Sequence, residues 1–598
     1  MSPYFPIEIL RVKCDPPEAD PKYDGAESRT IVLPKGHQKQ PDYAAFGTDT
    51  IFEKDIKIPL RDGTVIRVDI FRPAGVTEKV PILIAWSPYG KSGRGRFTLD
   101  LVPGRAGVPR SKNSDYEKIE ALDPADWVAR GYAVANVDTR GAWDSEGDIV
   151  CWCSQEGRDG YDVVEELANF GWCNGKIALM GNSWLAVAQW FIAAERPPHL
   201  ACIAPFEGAS DVYREIVARG GVPTTAFMGF LANVLLGRGT QEDIVGMIKK
   251  YPNMNSYWED KRARCDQINV PVYALASYST GLHTFGSFRG FCEANTDKKW
   301  QVINIRWARL RVHATQEWHD LYLKETNDEL QKFFDRYTKD IENGWEMTPK
   351  VRVSMYRYNK EPIVNLPFST WPIPETKYET LYLHGNGSLQ TRPPASSETA
   401  VTAYTSHTPF MQMDADENEI SFSYTFDKPA YLIGSARAKV YMSCPDHNDM
   451  DVWVQLRKAD ASGKLLHQIT IPACDSGLND EEVEMQNCLQ YLGPSGALRA
   501  SYRTIDPELS TPEFPEHNYY QKQLIEPGQI VLLEIGMWQT GMAFEKGEKL
   551  VFKISGHPMT LAEFPVLRGI EQQANQGTHR VHSGGETKSC VVIPLVEL

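Results

Sequence analysis

The sequence predicts an α/β domain that carries a helical insertion and is followed by an all-β domain. Three observations lead to this fold class. Short apolar runs alternate with amphipathic stretches in the first half, strand-like runs are absent from the region 211–266, and period-two alternation fills the end of the chain. We therefore divide the chain into an N-terminal extension (1–49), an α/β domain (50–206 and 269–348), a helical cap (207–268) and a C-terminal domain (349–598).

The α/β domain is predicted from continuous apolar runs, which are typical of parallel strands covered on both faces. The runs occupy residues 80–86, 132–138, 176–181, 200–205 and 270–276. Between two of them, the stretch 159–170 places valines and a leucine on one helical face and acidic residues on the other, so we expect a crossover helix there.

The cap and the C-terminal domain are predicted from a change of period. The cap region contains three helix-like segments, at 211–218, 225–236 and 242–250. After Pro349 the pattern alternates every second residue, as in strands that are half buried, which indicates an all-β sandwich. The clearest of these strands are 350–356, 436–442, 451–456, 530–535, 550–554 and 591–596.

Charge and cysteine content exclude several classes of function. The chain has 63 Lys and Arg against 78 Asp and Glu, a net charge of −15, so it lacks the excess of basic residues that nucleic acids and anionic membranes select. Its 11 cysteines are scattered, with no zinc-finger spacing. Residues 1–6 lack the basic and apolar segments typical of a signal peptide, and no apolar stretch reaches roughly 18 residues, so we expect neither standard secretion nor membrane insertion. We expect a cytoplasmic protein without a metal or cofactor.

The residues 180–189, Met-Gly-Asn-Ser-Trp-Leu-Ala-Val-Ala-Gln, carry the clearest chemical signal. They follow a predicted strand and open a predicted helix. A serine on such a sharp turn projects its hydroxyl above the sheet, while the amides of the helix N-terminus point at any oxyanion formed there. Ser183 is therefore a candidate nucleophile. The alternative is that it caps the helix at an ordinary turn.

Four blocks together give the chain a resemblance to a known family. They are Ser-Pro-Tyr-Gly-Lys (87–91), Asp-Thr-Arg-Gly-Ala-Trp-Asp-Ser-Glu-Gly (138–147), Glu-Gly-Arg-Asp-Gly-Tyr-Asp (156–162) with Trp-Cys-Asn-Gly-Lys (172–176), and the segment around Ser183. The chain resembles the cocaine esterase-like (CocE/NonD) and X-prolyl dipeptidyl-peptidase (S15) group of α/β-hydrolases. The resemblance implies an α/β-hydrolase domain with a helical cap and a C-terminal jelly roll of galactose-binding-like type.

The resemblance also implies roles for single residues. Ser183 matches the nucleophile, Tyr89 matches the tyrosine whose hydroxyl helps to bind the oxyanion, and the backbone amide of Trp184 is the second expected donor. A turn aromatic after a buried strand is the alternative for Tyr89. Asp138 and Arg140 are expected to form a buried structural pair near the nucleophile.

The match fails at the acid of the catalytic triad. The family places an Asp just after the strand that corresponds to 270–276, in a pattern like Gly-Trp-Tyr-Asp. Residues 276–279 of this chain read Ala-Ser-Tyr-Ser, so Ser279 stands where the carboxylate is expected. Glu317 and Asp320 are candidate replacements.

The base is expected just after the next strand. His313 is favoured because it directly follows an apolar run, with His319 and His283 as alternatives and a packing role open for each. Two apolar stretches stand upstream, within 300–312, where one strand is expected. Either that strand is unusually long or about nine residues, 301–309, are inserted.

We therefore expect a serine hydrolase that cleaves an ester or amide bond through an acyl-enzyme on Ser183. Its partner would be a small ester, amide or short peptide, and a homodimer is left open. A first alternative is an X-prolyl dipeptidyl-peptidase, which needs a carboxylate for a substrate ammonium. Glu207 and Asp211 are candidates for that role, unless they cap the next helix. A second is a catalytically weak binding or scaffold protein without the triad acid.

Overall fold

The computed structural model describes residues 7–294, 308–358, 360–407, 418–472, 475, 477–560, 567 and 574–598. A continuous buried core of apolar side chains runs from the first half of the chain into the second. None of the described helices combines the length and the apolar character that crossing a bilayer requires.

The first part of the chain alternates strands and helices, as predicted. The strands are β1 Arg11–Lys13, β2 Arg29–Leu33, β3 Thr50–Pro59, β4 Val65–Pro73, β5 Val80–Ser87, β6 Ala133–Asp138, β7 Cys173–Asn182, β8 Leu200–Phe206, β9 Ala218–Arg219, β10 Val222–Pro223, β11 Thr240–Glu242, β12 Val272–Ala276, β13 Ala308–Val312, β14 Val351–Met355 and β15 Ile363–Phe368. The helices are α1 Pro124–Ala129, α2 Ser154–Ala168, α3 Trp184–Ala194, α4 Ala226–Val234, α5 Ile244–Lys250, α6 Ser256–Glu259, α7 Thr284–Ala294, α8 Glu317–Leu321 and α9 Lys324–Thr338.

Eleven of the described strands form one sheet, in the order β15-β14-β13-β12-β8-β7-β5-β6-β4-β3-β2. From β14 to β6 every neighbouring pair is parallel. The five predicted strands are β5, β6, β7, β8 and β12, and all are central. Their carboxyl ends therefore meet along one edge, where ligands of open α/β sheets bind.

The α/β sheet extends beyond the predicted boundaries at both ends. β2, within the predicted extension 1–49, pairs with β3, and β1 pairs with β11 of the cap. β14, which lies within the predicted C-terminal domain 349–598, pairs in parallel with β13 and so joins this sheet. Its polar member Arg352 is paired with Glu329 of α9 at 2.5 Å.

The region of the predicted insertion is only partly described. Residues 301–307 lie outside the described residues. β13 begins at Ala308 and pairs with β12 in continuous register up to Val312. His313 therefore follows the end of its strand directly, as predicted.

The cap lies between β8 and β12 and is largely helical. It contains α4, α5 and α6, and the predicted helices at 225–236 and 242–250 correspond to the first two of these. The predicted helix at 211–218 is a five-residue π-helix, Tyr213–Val217, which ends in the short strand β9.

As far as its residues are described, the C-terminal part is mainly β, with the short α-helix α10 Asp480–Glu484 and two 3-10 helices, Asn487–Leu489 and Ala500–Tyr502. Its strands are β16 Lys377–Leu383, β17 Leu389–Gln390, β18 Thr399–Thr405, β19 Glu419–Thr425, β20 Ala430–Ser443, β21 Asp451–Ala459, β22 Gln468–Ile469, β23 Gln490–Tyr491, β24 Ser495–Arg499, β25 Val531–Phe544, β26 Lys549–Ser555, β27 Thr578–Gly584 and β28 Cys590–Val596. Two antiparallel sheets, β17-β16-β28-β20-β27-β18 with β25 beside β20, and β19-β26-β21-β24, give the predicted all-β domain.

The two halves of the chain are joined by hydrogen bonds and by a buried charge cluster. Tyr356 donates its amide to Gly541 at 2.8 Å and accepts from Ala543 at 2.9 Å. Arg289 of α7 forms ion pairs with Glu215 of the cap region and with Glu516 of the C-terminal domain. The loops at the carboxyl ends of β8 and β12 are therefore held between both halves.

Candidate active site

Ser183 lies at the junction of β7 and α3 in a strained backbone conformation. Its φ of 57° and ψ of −119° are costly for a residue with a side chain. Gly181 and Gly208 permit this turn: a Cβ on Gly181 would lie 2.4 Å from Leu185 Cδ2, and one on Gly208 would lie 2.7 Å from Ala186 Cβ. The Ser183 side chain makes no capping hydrogen bond to this described helix. The serine is therefore held for a purpose other than capping.

Backbone hydrogen bonds to two other loops hold the strand-to-helix turn at Ser183, called the elbow below. Asn182 donates its amide to the Glu120 carbonyl at 2.8 Å, and Ser183 donates its amide to the Glu207 carbonyl at 2.9 Å. Because both acceptors belong to other loops at the same sheet edge, the position of the Ser183 side chain depends on those loops.

Tyr89 stands beside the serine, as the resemblance implies. It follows β5, its ring centroid lies 5.8 Å from that of Trp184, and its phenol interacts with the Ser183 side chain. Burial raises the pKa of Tyr89 well above its ordinary value, so the hydroxyl stays protonated and able to donate. Trp184 is the first residue of α3, so its amide has no helical acceptor. Both groups suit an oxyanion.

A buried carboxylate ties the strand before Tyr89 to the helix after Ser183. Oε1 of Glu156 accepts from the indole nitrogens of Trp86 at 2.9 Å and Trp184 at 2.8 Å, and its Oε2 accepts from the Trp152 amide at 2.8 Å. Burial raises the pKa of Glu156 to about 7. The indole of Trp184 is thereby anchored at the first residue of α3.

The predicted pair of Asp138 with Arg140 does not form. Asp138 instead accepts from Lys91 at 3.0 Å and from Lys118 at 3.2 Å, while Arg140 binds Asp159 at 2.7 Å. The reason is geometric: the two residues lie just two apart, Asp138 ends the buried strand β6, and Arg140 turns towards α2. Lys118 also donates to the carbonyl of Gly90 at 2.9 Å, so this cluster supports the loop that carries Tyr89.

Aromatic side chains from separate elements pack around Tyr89 and Trp184, the two residues assigned to the oxyanion site. Phe97 lies 5.3 Å from Tyr89 and 6.3 Å from both Phe230 of the cap and Trp318 of α8, measured between ring centroids. Trp152 packs on Trp184 at 4.3 Å. The surroundings of the site are therefore apolar and aromatic, which suits an apolar substrate group.

His313 contacts the carboxylate of Glu207. Its Nε2 lies 2.8 Å from Glu207 Oε1, and its Nδ1 lies 3.1 Å from the carbonyl oxygen of Thr315 and 3.9 Å from Asp320 Oδ1. Burial opposes charge on the ring, but Asp320 and Glu207 outweigh it, so the pKa of His313 is raised. The hydrogen bonds of the described residues do not include one between Ser183 and His313, a bond that free enzymes often form only with substrate bound.

His283 and Glu317, which the sequence offered as separate alternatives, form a second pair. Nδ1 of His283 lies 3.0 Å from Oε2 of Glu317, and Thr280 Oγ1 donates to the same oxygen at 3.2 Å. One polar atom each of Glu207, His283 and Glu317 lies within 4.8 Å of the others, a spacing that would also allow a cation to be held. In this arrangement each carboxylate already has a histidine beside it.

The remaining candidates are engaged elsewhere. His319 lies against Gly107 and 3.9 Å from Asp475. Asp320 is paired with Arg311. Asp211 forms ion pairs with Arg214 at 2.7 Å and with two further arginines at longer distances, so its charge is compensated.

Glu120 is a third carboxylate at this edge of the sheet. Its Oε1 accepts from Asn182 at 3.3 Å and from Trp318 at 3.1 Å, while Oε2 is buried without a hydrogen-bond partner among the described residues. Burial, together with the charge of Glu317, raises its pKa to about 8. The side chain is therefore neutral at pH 7.

The site lacks a carboxylate at Ser279 but has one on the neighbouring strand. Ser277 Oγ lies 3.2 Å from Ser279 Oγ and donates to Glu207 Oε2 at 2.9 Å. From the sequence, Glu207 was a candidate for binding a substrate ammonium or for capping the next helix, and its contact with His313 was not predicted. The available signal was that Glu207 directly follows the buried strand 200–206, the position of a group displayed at the sheet edge.

Comparisons with known proteins match both halves of the chain. A family model described as X-Pro dipeptidyl-peptidase (S15 family) covers residues 62–332. The model for the X-Pro dipeptidyl-peptidase C-terminal non-catalytic domain covers residues 343–592.

Individual relatives agree with these matches. A CocE/NonD family hydrolase of Staphylococcus aureus has a solved structure with a TM-score of 0.81 and 29% identity, over 96% of this chain and 97% of that one. The cocaine esterase of a Rhodococcus species is 21% identical over 91% of this chain and 98% of its own. A Mycobacterium bovis protein with a provisional serine esterase name is 31% identical over 40% of this chain, and the match spans only 37% of that protein.

Proposed function

Since the chain belongs to the X-Pro dipeptidyl-peptidase (S15) and cocaine esterase-like family of α/β-hydrolases, we propose that it is a serine hydrolase that cleaves an ester or amide bond. The observation that carries the proposal is the strained Ser183 beside the protonated phenol of Tyr89. Backbone strain of this kind persists only where the surrounding structure imposes it, and it places the hydroxyl where substrate can reach it.

In the proposed reaction, Ser183 Oγ attacks the carbonyl carbon of the substrate and its proton passes to His313. The Tyr89 hydroxyl and the Trp184 amide donate to the oxyanion of the tetrahedral intermediate. The protonated histidine then gives its proton to the departing alcohol or amine, which leaves an acyl-enzyme on Ser183. Water, deprotonated by the same histidine, releases the acid.

The aromatic surroundings support an apolar group on the substrate. The ring of Phe97 lies 5.3 Å from that of Tyr89 and 6.3 Å from that of Phe230 of the cap, so a substrate group next to the oxyanion donors would lie close to aromatic rings. An ester or amide with an apolar acyl group is the substrate class that this environment favours.

The peptidase alternative is less well supported. Of the two carboxylates considered for a substrate ammonium, Asp211 is compensated by Arg214, and Glu207 lies beside His313. Neither carboxylate is therefore an unpaired anion.

The proposal is tested with a fluorophosphonate probe, whose phosphorus is attacked only by an activated serine. The purified protein should be labelled once, at Ser183, as shown by intact mass and peptide mapping. Ser183→Ala should abolish labelling and the hydrolysis of short-chain p-nitrophenyl esters. The matched control is Ser406→Ala, which removes a buried hydroxyl from the C-terminal domain and should label like the wild type. A wild-type protein that is folded but not labelled would contradict the proposal and favour a binding or scaffold protein.

We also propose a cytoplasmic location. Ten cysteines of the described residues are free thiols, eight of them buried, as expected where disulfides do not form. Whether the protein is a homodimer is measured by light scattering coupled to size-exclusion chromatography.

A further inference from the structure

A buried carboxylate occupies the place next to His313 that an orienting acid requires. Glu207 directly follows β8, its side chain is 1% exposed, and Oε1 lies 2.8 Å from Nε2 of His313. The family position for this acid, Ser279, lies at the end of β12, the strand adjacent to β8 in the sheet. Two neighbouring parallel strands end at the same edge, so a carboxylate from either can reach one histidine.

We propose that Glu207 is the positioning residue of His313 and replaces the carboxylate that is missing at Ser279. This proposal rests on the serine hydrolase function proposed above. In that role Glu207 fixes the ring orientation and the tautomer of His313 and stabilises the imidazolium that forms when Ser183 gives up its proton.

The conformation of Glu207 supports a functional role. Its φ of 23° lies in the left-handed region, which residues with side chains avoid. Two backbone hydrogen bonds hold this conformation. The Glu207 amide donates to the carbonyl of Leu275 in β12 at 3.0 Å, and the Glu207 carbonyl accepts from the Ser183 amide. The same residue therefore carries the carboxylate and holds the nucleophile turn.

The carboxylate is held in place on its other side as well. Ser277 Oγ donates to Oε2 at 2.9 Å, which leaves Oε1 directed at the histidine. Ser277 in turn contacts Ser279 at 3.2 Å, so the side chain that replaced the family acid lies within the same small polar group. Ser279 at the end of β12 and Glu207 at the end of β8 are therefore both in contact with Ser277.

The contact with Nε2 determines which ring nitrogen acts as base. A carboxylate accepts hydrogen bonds, so the neutral ring keeps its proton on Nε2 next to Glu207 and presents the lone pair on Nδ1. The Ser183 proton then passes to Nδ1, the Nε2 proton stays in place, and the ring becomes an imidazolium. Nδ1 now lies 3.1 Å from the carbonyl oxygen of Thr315, which can only accept, so with both nitrogens donating the ring is an imidazolium. Before Nδ1 can take the proton of Ser183, it must release its own proton to solvent and turn away from Thr315.

The other carboxylates near His313 fit this role less well. Asp320 is farther from the ring, with 3.9 Å between Oδ1 and Nδ1, and it is bound by Arg311. Glu317 is paired with His283. The His283–Glu317 pair is the principal competitor, because it would form an acid–base pair of its own.

The experiment combines labelling kinetics with NMR of protein labelled with ¹⁵N in its histidines, with the His313 signals assigned from His313→Gln. In the wild type the neutral form should show the Nε2–H tautomer. Glu207→Gln should lower the pKa of His313 and slow fluorophosphonate labelling of Ser183 by roughly 10²- to 10⁴-fold. Glu207→Asp keeps the charge, so its His313 pKa and its labelling rate should lie closer to those of the wild type than the values of Glu207→Gln do. The matched control Asp451→Asn removes a buried carboxylate paired with Arg499 in the C-terminal domain and should change neither.

Rescue separates positioning from a merely structural role. In the Glu207→Gln background, Ser279→Asp places a carboxylate at the family position and should restore labelling at least tenfold. An unchanged His313 pKa and labelling rate in folded Glu207→Gln would overturn the proposal. So would a result in which Glu317→Gln loses labelling while Glu207→Gln keeps it. If the wild type is not labelled at all, the serine hydrolase function fails, whereas the NMR comparison still shows whether Glu207 controls the histidine.

Discussion

The backbone amide of Ser183 donates to the backbone carbonyl of Glu207 at 2.9 Å, so the nucleophile turn and the carboxylate beside His313 are parts of one hydrogen-bonded unit. The unit spans the ends of β7 and β8, which are adjacent in the sheet. Substitutions at one position are therefore expected to couple to the other. Four further predictions follow from the surroundings of this unit.

Tyr89→Phe should lower kcat for ester hydrolysis by roughly 10- to 1000-fold with little change in KM, because an oxyanion donor acts mainly in the transition state. Steady-state kinetics on a p-nitrophenyl ester measure both constants. Tyr404→Phe removes a buried phenol that contacts His579 in the C-terminal domain and serves as the control. An unchanged kcat would make Tyr89 a packing residue.

Ser279→Asp in the wild-type background should not accelerate labelling of Ser183, because Glu207 already supplies a carboxylate. The new side chain would lie next to Ser277, which donates to Glu207, and two adjacent carboxylates oppose each other's ionisation. We expect the variant to be labelled at the wild-type rate or more slowly. Its thermal midpoint should fall further below that of the wild type at pH 8 than at pH 6. Faster labelling would instead mean that the missing acid at 279 limits the enzyme.

Glu156→Gln should destabilise the fold by about 1–3 kcal/mol and also slow turnover. All three contacts of Glu156 are donors, two indoles and the Trp152 amide, and a glutamine amide would turn a fourth donor towards one of them. Thermal denaturation and ester kinetics measure the two effects. Glu166→Gln, at an exposed position of α2, should leave both unchanged. If Glu156→Gln is as stable as the wild type, the three hydrogen bonds accepted by Glu156 contribute little to the stability of the fold.

Glu120→Gln should gain stability relative to wild type as the pH rises. The ordinary pKa of this carboxyl is 4.5 and its folded value is about 8, so between these values the folded state holds a proton that the unfolded state has lost. The stability contributed by this group is therefore present below pH 4.5 and decreases up to about pH 8. Gln keeps the acceptor for Asn182 and Trp318 without the charge.

Thermal midpoints from pH 5 to pH 9 measure this difference. The advantage of Glu120→Gln should grow between these limits and level off above pH 8. Glu27→Gln, at an exposed position, should show no such trend. A difference that does not depend on pH would mean that Glu120 is ionised in the folded protein.

Local patterns in the sequence were sufficient for much of the fold. The runs of apolar residues identified the central strands β5, β6, β7, β8 and β12, because burial on both faces requires apolar side chains at successive positions. The elbow at Ser183 could also be predicted from local sequence, because Gly181, Ser183 and Ala186 are close neighbours in the chain. Position after a strand likewise predicted that Tyr89 and His313 lie at the sheet edge.

The sequence did not determine which side chains at that edge meet. His313 and Glu207 are more than 100 residues apart, and their contact depends on the lateral order of the strands, which periodicity does not encode. The same reason explains why His283 and Glu317 were not joined, why Asp138 was assigned to Arg140 rather than to two lysines, and why the pairing of β14 with β13 was not predicted. The sequence by itself determined the elements and the nucleophile turn, whereas the tertiary structure decided the partners, because a carboxylate and a histidine pair only where strand order brings their ends together.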